Sequence, residues 1–160
     1  LRARDRALSL LGFRQLDKGL YIRPNNLHGG INGVRKRLLN LGLDEEAIIF
    51  KAGDFDALRQ EKALALWSDM QLVTHYKEMS AQLNEWLANK DNLSADAALR
   101  EVFMLGDAAI RSVIFDPLLP APLVDETARQ QCFDTVRRFN DEGRRLWLAF
   151  FAANTVKIVQ

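Results

Sequence analysis

The sequence predicts an α+β fold in which the β signals are confined to the first third of the chain. Two observations carry this. Short β-like runs and turn-forming glycines occur only before about residue 55. After that, apolar residues recur at helical spacing almost to the C-terminus. A third observation marks the same division: residues 1–62 hold 12 Lys and Arg against 8 Asp and Glu, whereas residues 63–160 hold 10 against 13.

In chain order, Arg4 to Gly12 reads as a helix with Ala7, Leu8, Leu10 and Leu11 on its apolar side and Gly12 as its stop. Residues 13–16 and 20–23 are short strands, and Asp17-Lys18-Gly19 suits the tight turn of a hairpin. Pro24 ends the second strand. Ile31, Val34, Leu38 and Leu41 recur at helical spacing, with Arg35-Lys36-Arg37 opposite and Gly42 closing the helix. Ala47 to Lys51 reads as a buried strand. The order helix, strand, strand, helix, strand is a ferredoxin-like βαββαβ unit lacking its first strand, over residues 1–55. The missing strand and the non-Met start, Leu1, together suggest a piece of a longer chain.

Residues 56–160 read as a C-terminal α-helical bundle. Leu58 to Trp67 forms one helix. Leu72, Tyr76, Met79, Leu83 and Trp86 stripe a second. Ser94 caps a third, whose apolar side is Leu99, Val102, Phe103, Gly106, Ala109, Ile110 and Val113. Three prolines make 116–122 an extended connector. The last helix runs from about Asp125 to about Asn154.

Composition narrows the function. With 48% hydrophobic and 27% charged residues the chain can bury a core. A formal charge of +1 argues against these residues being a main DNA-contacting surface. The single Cys132 excludes an internal disulfide and a cysteine-based zinc site, and a cytoplasmic location is expected. No apolar run is long enough for a membrane span.

Chemical motifs are sparse. His28-Gly29-Gly30 lacks the nucleophile elbow or the Gly-Lys-Ser/Thr that would give it meaning, so a sharp turn suffices. His75 with Asp69 and Glu78 lies near one helix face and could bind a metal, but a solvated face explains it as well. Trp67, Trp86, Trp147 and Tyr76 serve as core or as a ligand pocket. Arg35-Lys36-Arg37, Arg137-Arg138 and Arg144-Arg145 are phosphate-binding candidates with acidic neighbours. Neither a nucleophile–base pair nor a metal motif stands out, so no catalytic or metal residue and no cofactor is assigned.

Three stretches in order resemble one family. Leu11-Gly12-Phe13-Arg14-Gln15-Leu16 followed by Gly19-Leu20-Tyr21-Ile22-Arg23-Pro24 is the first. Leu66-Trp67 followed by Tyr76-Lys77 is the second, and Arg111 followed by Phe115-Asp116-Pro117-Leu118-Leu119-Pro120 is the third. Together they resemble the PaaX-type transcriptional repressors of phenylacetic acid degradation. The chain departs from the pattern at Phe115, where a basic residue is common, and in lacking a Trp-Pro-Gly after the last element.

The resemblance implies the middle and C-terminal domains of a homodimeric repressor. Its winged-helix DNA-binding domain would lie outside this sequence. It would be released from operator DNA by an aryl-CoA effector such as phenylacetyl-CoA. On that reading Arg100 and Arg111 are candidates for the anionic end of the effector, and Trp67 and Tyr76 for its aryl end. Two alternatives belong to other classes. One is a ferredoxin-like enzyme acting on a nucleotide or thioester through Asp54 and Asp56. The other is a purely structural dimerisation module.

Overall fold

The computed structural model describes residues 2–68 and 70–155. The fold mixes helix and sheet and is mostly helical. Two compact units divide the chain: residues 1–71 with 115–126, and residues 72–114 with 127–160.

In the first unit, helix α1 (Arg2–Leu10) leads into strands β1 (Arg14–Asp17) and β2 (Leu20–Ile22). The strands pair antiparallel, with Arg14 opposite Ile22, Gln15 opposite Tyr21 and Asp17 opposite Leu20, leaving a bulge at Leu16. Gly19 takes the left-handed conformation that the turn requires, φ 76°. Helix α2 (Gly30–Asn40) follows, and its buried Val34 and Leu38 join Ala7, Leu8, Leu27 and Leu43 in one core. Helix α3 (Ala57–Ala65) is capped by Asp56, whose Oδ1 accepts from the Arg59 N–H at 2.8 Å.

The strand expected at 47–51 does not form. Ala47 and Ile49 pack on the core of the first unit, while Ile48 and Phe50 are 86% and 60% exposed. The alternation is that of a strand, but a strand needs a neighbour to satisfy its backbone. Among the described residues the sheet contains only β1 and β2. Arg35 supplies a substitute, its Nη2 donating to the Ile49 carbonyl at 2.8 Å.

In the second unit, helices α4 (Leu72–Asn89), α5 (Ala95–Ile114) and α6 (Glu126–Thr155) pack together. The expected α4 stripe is the observed one: Tyr76, Met79, Leu83 and Trp86 are buried. Ser94 caps α5, its Oγ accepting from the Ala97 N–H at 3.3 Å. Edge-to-face packing of Trp86 on Phe139, with centroids 4.8 Å apart, joins α4 to α6. Arg138 Nη2 donates to Asn84 Oδ1 across the same pair at 2.8 Å. Glycine at 143 lets α6 approach α5 closely, for a Cβ there would stand 2.7 Å from Val102 Cγ1.

Candidate functional site

The residues singled out in the sequence fall in two places. Trp67 lies in the first unit, 5% exposed, and its indole N–H donates to the Gly12 carbonyl at 3.3 Å. Gly12 is itself constrained. It has φ 72°, and a Cβ would come within 2.7 Å of Pro117 Cβ. Arg23 adds to this node. Its Nη1 donates to the Leu11 carbonyl, and its Nη2 reaches Asn26 Oδ1 at 2.8 Å and the Pro117 carbonyl at 3.4 Å. Asn26 in turn donates to the Leu118 carbonyl at 2.6 Å, and Asp116 accepts from the Leu118 N–H at 2.7 Å. These bonds hold Leu118 in a left-handed conformation, φ 52°. Segments that are about a hundred residues apart in the sequence therefore meet in one scaffold, which fixes the Asp116–Pro120 connector.

Tyr76, Arg100 and Arg111 lie in the second unit. Tyr76 is almost fully buried on α4. Arg100 and Arg111 are exposed on α5, and their separation of 11 residues corresponds to roughly 16 Å along the helix. Arg111 Nε pairs with Asp107 at 2.9 Å.

Of the other sequence candidates, Asp69 lies outside the described residues. His75 Nε2 hydrogen-bonds Ser112 Oγ. No group of three potential ligands that could hold a metal occurs among the described residues. Asp56 is occupied as a helix cap: the Arg59 backbone N–H, then the Arg59 guanidinium, hold its carboxyl below its usual range.

The second unit contains a groove that the sequence does not single out. It lies between α5 and α6, with a volume of about 340 Å³. Phe139, Val102 and Val136, all buried, supply its floor. Gly106 contributes no side chain to it, and a Cβ there would meet nothing closer than Phe139 Cε1 at 3.8 Å. The walls are Phe103, 73% exposed, Ile110 and Trp147. Trp147 is braced by Phe151, stacked at 5.6 Å.

Three polar side chains stand at the mouth: Asp107, Asn140 and Arg144. Asp107 is neutralised by Arg111. The neighbouring arginines are likewise engaged: Arg137 pairs with Asp134, Arg145 with Glu142, and Arg138 bonds Asn84. Arg144 has no ion-pair partner among the described residues. The groove can therefore receive an apolar body and present one free cation to it.

The family model of the PaaX-like protein C-terminal domain matches residues 67–149. The chain belongs to the PaaX-like family. No curated protein and no solved structure matches it. The matched region spans the whole groove and most of α4, α5 and α6. Membership of the PaaX-like family makes this a chain of a transcription regulator. No described helix is long and apolar enough to cross a membrane.

Proposed function

We propose that these residues are the effector-sensing and dimerising portion of a PaaX-like transcriptional repressor of aromatic, phenylacetate-type catabolism. An aryl-CoA thioester such as phenylacetyl-CoA releases the repressor from its operator. The observation that carries this reading is the family match over residues 67–149. The protein acts in the cytoplasm as a homodimer, and operator DNA is reached through a winged-helix domain outside this sequence. Residues 1–55 are the remainder of a ferredoxin-like middle domain and 56–160 the C-terminal domain. The helix–hairpin–helix order of α1, β1, β2 and α2 supports that assignment.

The chemistry of the effector defines what its site requires. A CoA thioester has an anionic phosphate end and an apolar acyl end, so it needs arginine or lysine near an aromatic-lined space. Arg100 and Arg111, exposed on one helix, are the candidates for the phosphates. Trp67 and Tyr76, which are buried, bear on the aryl end through the elements that they hold in place. Effector binding releases DNA only where it favours the dimer arrangement that does not bind DNA.

Calorimetric titration of the 160-residue chain with phenylacetyl-CoA tests the reading. Saturable binding, and binding weakened when Arg100 or Arg111 is replaced by glutamine, is the expected result. No heat at millimolar ligand rules out the sensing role for this chain.

A further inference from the structure

We infer that the α5–α6 groove is a binding site for a compact aromatic group whose polar end is held by Arg144. The inference rests on the sensing role just proposed and deepens it, by placing the apolar end of the ligand on residues outside the four sequence candidates.

Three features point there. The first is size. An apolar cavity of roughly 150 Å³ suffices for a benzene ring. The groove's 340 Å³ therefore admits a ring with a short linker, while a CoA moiety has to remain outside the mouth. The second is lining: Phe139 below and Phe103, Ile110 and Trp147 at the sides give a ring apolar and edge-to-face contacts. Phe103 is 73% exposed and Ile110 is 50% exposed, so a ligand between them removes from water apolar surface that the fold leaves uncovered.

The third is charge. Arg144 offers its guanidinium at the mouth, where a carboxylate, a thioester carbonyl or a nearby phosphate of the ligand would lie. Asp107 on the opposite wall would repel such a group, but the Arg111 contact at 2.9 Å cancels its charge. Besides its candidacy for the phosphates, Arg111 therefore acts on the groove through Asp107.

The test uses the full 160-residue chain with methyl labelling and three probes: phenylacetyl-CoA, acetyl-CoA and phenylacetate. Nuclear Overhauser contacts are expected from the aryl protons of phenylacetyl-CoA to the methyl groups of Ile110, Val102 and Val136, and none of these methyls should respond to acetyl-CoA. Arg144→Glu, at an exposed position, should weaken phenylacetyl-CoA binding more than about tenfold, and Arg144→Lys should recover part of the loss. Arg111→Gln should weaken it less. Gly106→Leu should block the contacts by filling the groove.

The failures separate. Thioester binding without aryl contacts to these methyls overturns the groove and leaves the sensing role standing. Contacts from phenylacetate with no thioester binding overturn the sensing role and leave the groove. Absence of both overturns both, and an equal response to acetyl-CoA overturns the aromatic assignment.

Discussion

Arg23 is a half-buried cation whose acceptors are all neutral oxygens: the carbonyls of Leu11, Pro24 and Pro117 and the side chain of Asn26. Burial, with the like charge of Arg37 added, lowers its pKa to about 10, below the usual guanidinium range. A group depressed in this way is still charged in both folded and unfolded chains at neutral pH. Its desolvation is therefore a standing cost, relieved only as pH rises above about 10. The hydrogen bonds offset that cost, and they do so by geometry. A planar guanidinium can serve several carbonyls at once, and a lysine ammonium on a flexible stem cannot. Arg23→Leu is expected to destabilise the first unit by about 2 kcal/mol, because carbonyls that accepted charged donors lose them. Arg23→Lys is expected to recover little of this. Urea unfolding of the three proteins checks both statements.

At the scale of the helix pair, two glycines that look alike in the sequence behave oppositely. Gly143 sits where a Cβ would approach Val102 Cγ1 at 2.7 Å, whereas at Gly106 the nearest atom, Phe139 Cε1, would be 3.8 Å away. Alanine improves helix propensity at either site by up to about 1 kcal/mol. At 106 nothing opposes the gain, so Gly106→Ala should raise stability by about 0.5–1 kcal/mol. At 143 the overlap reverses the sign, and Gly143→Ala should cost about 1–2 kcal/mol. Val102→Ala in the same chain should remove most of that penalty, which a double-mutant cycle in urea would measure. Much of this helix architecture is legible in the sequence. The stripe Tyr76–Met79–Leu83–Trp86 is the buried face of α4. Periodicity reports where apolar residues lie and not what covers them. Phe103 and Ile110 belong to the α5 stripe and remain exposed, because the side of α5 that carries them lines the groove. The sequence offers Arg144 only as one of several phosphate-binding candidates beside acids, and the structure separates it from Arg137 and Arg145, which pair with Asp134 and Glu142. The segment 47–51 has a strand's alternation, but backbone pairing, not alternation, makes a strand. Trp67 reads as a candidate ligand contact until its partner, a carbonyl 55 residues earlier, is known.

Across the whole molecule, charge decides what this part of a PaaX-like regulator can contact. DNA binding by neutralisation of phosphates needs a continuous stripe of free lysine and arginine. The net charge here is +1, and many of the basic residues are individually engaged. In the densest cluster, Arg35 donates to the Ile49 carbonyl and Arg37 to the His28 carbonyl. On α5 and α6, Arg111, Arg137 and Arg145 face Asp107, Asp134 and Glu142. Exposed pairs of this kind add little to stability, each on the order of 0–1 kcal/mol. They do cancel the local positive field that would gather phosphates over a Debye length of roughly 8 Å at physiological salt. The chain alone is therefore expected to retain no DNA duplex at micromolar protein and about 0.15 M salt, in a gel-shift or polarisation assay. Binding that rises steeply as salt is lowered would show that the arginines act together despite their partners. On the sensing role proposed above, neutrality has a reason: attraction to DNA by this surface would persist after an effector is bound and would oppose release. Replacing Asp107, Asp134 and Glu142 with asparagine or glutamine should accordingly bring salt-sensitive duplex binding to a chain that lacks it.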